Sequence, residues 1–166
     1  MKNKKSIYLS VLLIAITAVC AAAAERTLTA ECCYVKAECA EKAARIYIDG
    51  AELQKQMPFL AERAKKVNSW HQIAGADTKY KALAAGIIGQ DTFPFLLLLR
   101  EDGLIEYVNV NECIESGTFK VKGKIVGLKN VAAFQNASVN DDGGGYLTIC
   151  AVHTDGEKTD LSGLIK

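Results

Sequence analysis

Seven consecutive residues, Phe93-Pro94-Phe95-Leu96-Leu97-Leu98-Leu99, carry no polar side chain. A half-exposed strand alternates apolar with polar residues, so a run that is apolar on both faces predicts a buried strand, central in its sheet. It is far shorter than the roughly 20 residues that a membrane-spanning helix needs. Shortly after it comes Asp102-Gly103, a strong hairpin signal. The return strand is then Leu104-Ile105-Glu106-Tyr107-Val108.

Upstream, residues 43–48 (Ala-Ala-Arg-Ile-Tyr-Ile) read as a strand that stops at the turn pair Asp49-Gly50. From residue 51 to 70 the apolar positions Leu53, Met57, Leu60, Ala64 and Val67 recur at helical spacing. Pro58 falls inside that pattern, so the helix starts near it or kinks there. Asp77-Thr78 predicts the cap of a second helix through Tyr80 and Leu83, ending at Gly86 or Gly89. After Cys113 the texture becomes β-like. Residues 119–125 alternate, placing Lys120, Lys122 and Lys124 on one face and Phe119, Val121 and Ile125 on the other. Residues 146–152 predict another strand, the stretch 140–145 (Asn-Asp-Asp-Gly-Gly-Gly) a flexible turn, and residues 131–134 a helical turn. No internal repeat is visible. The expected class is α/β over the first two thirds, with a β-rich C-terminal extension.

The order strand, kinked helix, strand, helix, proline-led strand and hairpin strand resembles the thioredoxin fold. Pro58 within an amphipathic helix, the stretch 80–89 and the Pro94 strand with Asp102-Gly103 carry that resemblance over about residues 43–110. It implies a cis peptide before Pro94, as a structural feature. It implies no redox chemistry, because the place of the family's Cys-x-x-Cys reads Gly50-Ala51-Glu52-Leu53. The domain plan is a leader over residues 1–24, a thioredoxin-like α/β domain over 25–112 and a β-rich region over 113–166.

The leader reads as a cleavable signal peptide. Three lysines lie within residues 1–5, residues 7–20 carry no charge, and four alanines precede Glu25. The expected location is therefore periplasmic or secreted. Lipidation at Cys20 is the rival reading; Val19 occupies the place where a small residue normally precedes a lipidated cysteine. Removing residues 1–24 takes three of the 20 basic residues and none of the 19 acidic ones, so the net charge moves from +1 to −2. That balance argues against a nucleic-acid partner, which calls for a concentrated basic footprint. No further segment is long enough to cross a membrane as a helix, and the expected partner is an unidentified protein or small ligand of the envelope.

Of six cysteines, the five beyond Cys20 are Cys32, Cys33, Cys39, Cys113 and Cys150. An odd count in an exported chain leaves one thiol over after two bridges. The plainest expectation is structural, with Cys113 and Cys150 among four residues that staple the ends of the chain to its core. A second expectation makes Cys32 and Cys33 a thiol-disulfide pair, since adjacent cysteines close only a strained, easily reduced ring. A third makes Cys32, Cys33 and Cys39 thiolate ligands for a soft metal, although their spacing matches no zinc pattern. His71 and His153 are the two histidines, and neither neighbours a cysteine or serine that it could activate. No cofactor is implied. The leading expectation is a non-catalytic binding module.

Overall fold

The computed structural model describes residues 27–88, 93–141 and 144–165; the expected leader, with Cys20, lies outside them. Strands β1 (Leu28–Cys32), β2 (Val35–Ala40) and β3 (Ala43–Ile48) form an antiparallel meander. Each of its turns has two central residues, and the first of each pair, Cys33 or Glu41, has φ 54°. Positive φ at that position alone is the II′ pattern, a place usually given to glycine.

Asp49 then starts α1 (Gly50–Gln56), its carboxylate accepting from the Ala51 and Glu52 amides at 3.1 and 3.0 Å. The expected break at Pro58 is present. A 3-10 turn, Pro58–Leu60, separates α1 from α2 (Ala61–Val67), because proline has no amide hydrogen to continue the helical ladder. Strand β4 (Trp70–Gln72) returns antiparallel to β3.

The next stretch runs through the same order of elements. Strands β5 (Tyr80–Ile87), β6 (Pro94–Arg100) and β7 (Ile105–Asn109) form a second meander. Asn109 caps α3 (Val110–Ser116), and β8 (Gly123–Ile125) returns to β7. The hairpin expected at Asp102-Gly103 is there, with Gly103 at φ 88° and its amide donating to the Arg100 carbonyl at 3.0 Å. Two strand-strand-strand-helix-strand units thus follow one another, a repeat of topology that the residues themselves do not display. The third sheet consists of β9 (Val131–Asp141), β10 (Gly144–His153) and β11 (Lys158–Asp160), with β10 in the middle.

This architecture overturns the α/β, thioredoxin-like expectation. Every pairing within the three sheets is antiparallel, and no βαβ crossover occurs among the described residues. The helix expected through Tyr80 and Leu83 is strand β5. Its alanines favour a helix in isolation, but its ladder with β6 decides the outcome. Gly86 shows the same constraint, since a Cβ there would lie 2.7 Å from Ile149 Cδ1. The turn expected over residues 131–134 is part of β9. Only Gly123–Ile125 of the expected strand over 119–125 is a named strand, preceded by a parallel bridge between Ala74 and Lys120. The peptide before Pro94 is not cis. Pro94 opens β6, a position where strands accept its missing amide hydrogen.

The sheets stack so that the second is covered twice. One core unites Val35, Ala37, Ile46 and Ile48 of the first sheet with Leu96, Leu98 and Val108 of the second, and with Leu53, Ala64 and Ile114 of the helices. The other unites Phe95, Leu97, Leu99, Ile105 and Tyr107 of the second sheet with Val131, Ile149 and Leu161 of the third-sheet region. Leu96, Leu97, Leu98 and Leu99 are fully buried, with alternate residues entering opposite cores. Each such burial is worth about 1.5–3 kcal/mol relative to exposure. The two-sided apolar run is therefore the inner strand of a middle layer.

Candidate functional site: a vicinal thiol pair, a buried carboxylate and an open aromatic face

Cys32 ends β1 and Cys33 opens the turn into β2. Cys32 continues the inward-facing series of Leu28 and Ala30 and is half-buried, whereas Cys33 is exposed. The two sulfurs lie 3.3 Å apart. Burial, then the contact with Cys33, pushes the Cys32 thiol up to about 12. Such a thiol stays protonated at neutral pH, the opposite of an activated nucleophile. Tyr34 follows with its ring buried, and its hydroxyl has no hydrogen-bond partner among the described residues. Burial raises that phenol as well, and the neighbouring cysteines add to the shift.

The other thiols are elsewhere. Cys39 lies four residue pairs along the β1–β2 ladder from Cys32, about 13 Å at the usual strand rise. Cys113 is buried in α3 and Cys150 in β10, and burial raises both thiols, as it does that of Cys39. All five described cysteines are free thiols. No group of three or more His, Cys, Asp or Glu is placed to hold a metal among the described residues, so Cys32, Cys33 and Cys39 are not brought together as ligands. His71 stacks on Phe119 with ring centroids 4.0 Å apart, and His153 Nε2 lies 2.8 Å from the Thr159 hydroxyl. Neither ring contacts a cysteine, but His71 Nε2 lies 3.1 Å from the Ser69 hydroxyl, against the expectation that no serine neighbours it, and 2.8 Å from the Val67 carbonyl.

Glu106 is a buried acid that no sequence motif marks. It is 2% exposed, on the β7 face that looks into the first core. Tyr80 donates to Oε2 at 2.6 Å, Arg100 to Oε1 at 3.2 Å, and the Lys124 ammonium lies 3.4 Å from Oε1. The register produces this cluster, since Glu106 sits directly opposite Lys124 and Tyr80 opposite Arg100. The carboxylate is fully satisfied, so its role is to bind four strands together. The signal was a single acid inside the otherwise uncharged run 104–108. Near α3, a groove of about 840 Å³ is lined by Arg63, Glu112, Glu115, Lys120 and Lys122. Its charges pair internally as Lys122 with Glu112 at 2.7 Å and Arg63 with Glu115 at 4.0 Å.

The outer face of the first sheet is different. Two rows of side chains cross it, Glu31–Lys36–Tyr47–Trp70 and Thr29–Glu38–Arg45–Gln72. Trp70, the chain's one tryptophan, is 43% exposed. Its ring centroid lies 5.6 Å from that of Tyr47, and the Arg45 guanidinium carbon is 4.6 Å above it. Arg45 is held in turn by Glu38, its cross-strand partner. The result is an aromatic platform fixed in place before any partner arrives. Residues 43–48 hinted at half of it, because alternation puts Arg45 and Tyr47 on one face. Trp70 was hidden in what reads as the end of a helix.

No protein-family model, curated protein or solved structure matches this chain. No helix among the described residues is long and apolar enough to cross a membrane.

Proposed function

We propose that this is an exported, non-catalytic protein of the cell envelope or secretions that binds a protein or small ligand through the outer face of its first sheet. The observation that carries the reading is Trp70 with Tyr47 and Arg45. Trp, Tyr and Arg are the residues that most often dominate binding energy. Here they adjoin on an edge strand and its neighbour, already ordered by ring contact and ion pair. Ordering before contact lowers the entropy lost on binding. Residues 1–24, with their basic start, uncharged middle and small residues before Glu25, support export. The raised Cys32 thiol argues against a fast exchange enzyme, which needs a ready thiolate in its dithiol pair.

The emission of Trp70 reports on this face alone, because no other tryptophan contributes. Titrating the full chain with a panel of soluble oligosaccharides and short peptides is expected to give a saturable change in that emission. Tyr47→Ala and Arg45→Ala should each weaken it about tenfold or more, with an unchanged far-UV circular dichroism spectrum. A panel that leaves the emission untouched, or binding indifferent to both substitutions, would remove the face from the account.

A further inference from the structure

The odd number of thiols among the described residues has a solution in the geometry. Among the described residues, one pair of sulfurs lies within reach of each other, Cys32 and Cys33 at 3.3 Å. The remaining three are buried on separate elements, β2, α3 and β10, with no sulfur beside them. A second bridge would have to draw on these buried thiols, none of which has another sulfur beside it among the described residues. One bridge within the turn needs only a local movement, from 3.3 Å to the roughly 2.0 Å of a disulfide. Tyr34 anchors the far side of the turn through its buried ring and through its carbonyl, which accepts from the Asp49 amide at 2.8 Å. Rearrangement is therefore confined to the Cys32–Cys33 peptide and its side chains. Cys33 already occupies the left-handed region at φ 54°, a conformation that costs a non-glycine residue energy.

We infer that Cys32 and Cys33 form a reversible vicinal disulfide, the one redox-active bond among the described residues, while Cys39, Cys113 and Cys150 remain permanent core thiols. The oxidant is a small disulfide of the exported compartment. Cys33, being exposed, attacks one sulfur of that disulfide, forming a mixed disulfide and releasing the first small thiol. Cys32, whose raised thiol makes this the slow step, then loses its proton to solvent and attacks Cys33 Sγ, and the second small thiol leaves. Two thiols lose two electrons and two protons, and one small disulfide becomes two thiols. Adjacent Cα atoms lie about 3.8 Å apart across a trans peptide, below the roughly 4.4–6.8 Å usual for disulfides. The ring is therefore strained, and strained disulfides are readily reduced again. This is a switch between two states of one turn, distinct from an exchange enzyme acting on other proteins.

The test incubates the full chain with oxidised and reduced glutathione over a range of ratios, followed by alkylation and peptide mass spectrometry. The peptide carrying Cys20 is read separately. The peptide with Cys32 and Cys33 is expected to pass from doubly alkylated to unalkylated and lighter by two hydrogen atoms, and back as reduced glutathione increases. Cys39, Cys113 and Cys150 should alkylate fully, but only after denaturation. Cys32→Ser should stop at a glutathione adduct on Cys33, and Cys33→Ser should leave Cys32 unmodified. A lasting glutathione adduct on Cys33 in the unmutated chain, or a bridge from either residue to Cys39, Cys113 or Cys150, would overturn the inference. So would two free thiols at every ratio.

Discussion

The two strand-strand-strand-helix-strand units share a plan, down to the Asx residue that caps the helix after the third strand, Asp49 in one and Asn109 in the other. They differ in what lies over their sheets. In the first unit, β2 and β3 alternate between core and water, with Val35, Ala37 and Cys39 facing in and Lys36 and Glu38 facing out. In the second, β6 is buried from Pro94 through Leu99 because the third sheet covers its other side. The same topology thus serves as an outer layer in one place and a middle layer in the other. An outer layer is free to present side chains to a partner, and that is where Arg45, Tyr47 and Trp70 lie. A middle layer has no such freedom, and its one charged cluster is turned inward.

The ion pairs of the two layers should differ most in what they contribute to stability. Glu106 is a buried acid held by Arg100, Lys124 and Tyr80. Glu106→Ala leaves the buried Tyr80 hydroxyl without its acceptor, while Arg100 keeps Asp102 and Lys124 keeps water, and it is expected to cost about 1–3 kcal/mol in urea or thermal unfolding. Glu38→Ala removes the partner of Arg45 on the open face, where such pairs are worth about 0–1 kcal/mol. Equal losses from the two substitutions would mean that the open face is covered or that the middle layer is wet.

A second, smaller contrast concerns alkali. Burial raises the thiols of Cys32, Cys39, Cys113 and Cys150, so the folded chain holds those protons more tightly than the unfolded one. For a group whose folded pKa is raised, the stabilisation is complete below the unfolded value and is lost as pH rises through the folded one. Stability should therefore be flat with respect to these groups below about pH 8 and fall between about 9 and 12. Cys32→Ser in the first unit should flatten that fall more than Cys150→Ser in the third sheet, as measured by urea midpoints across the range. A fall that neither substitution alters would assign it to other groups, Cys39, Cys113 and the buried Tyr34 and Tyr80 phenols among them.

Much of the local structure was legible from the residues. The two-sided leucine run, its hairpin at Asp102-Gly103, the strand 43–48 and the break at Pro58 each follow from short-range chemistry, and each is present. What failed was set by distant partners. Alanine-rich residues 80–87 have no local reason to be extended; β6 and the close approach of Ile149 to Gly86 supply it. Residues 131–134 belong to β9 because β10 pairs with them. A thioredoxin-like order of elements did not survive, because antiparallel ladders form where the resemblance required crossovers. The site was half legible: the adjacent cysteines and the alternation of Arg45 with Tyr47 were in plain view, while Trp70 joins them only through the three-residue β4.

The claim on which the account turns is that the first sheet keeps one face open and places Trp70 on it. Collisional quenching of the native protein by acrylamide and by iodide measures this, because emission comes from that one indole. An open face gives a red-shifted emission, quenched by both agents to a large fraction of the extent seen in the urea-unfolded chain. A blue-shifted emission that both agents fail to reach would contradict it, because the face would then be buried.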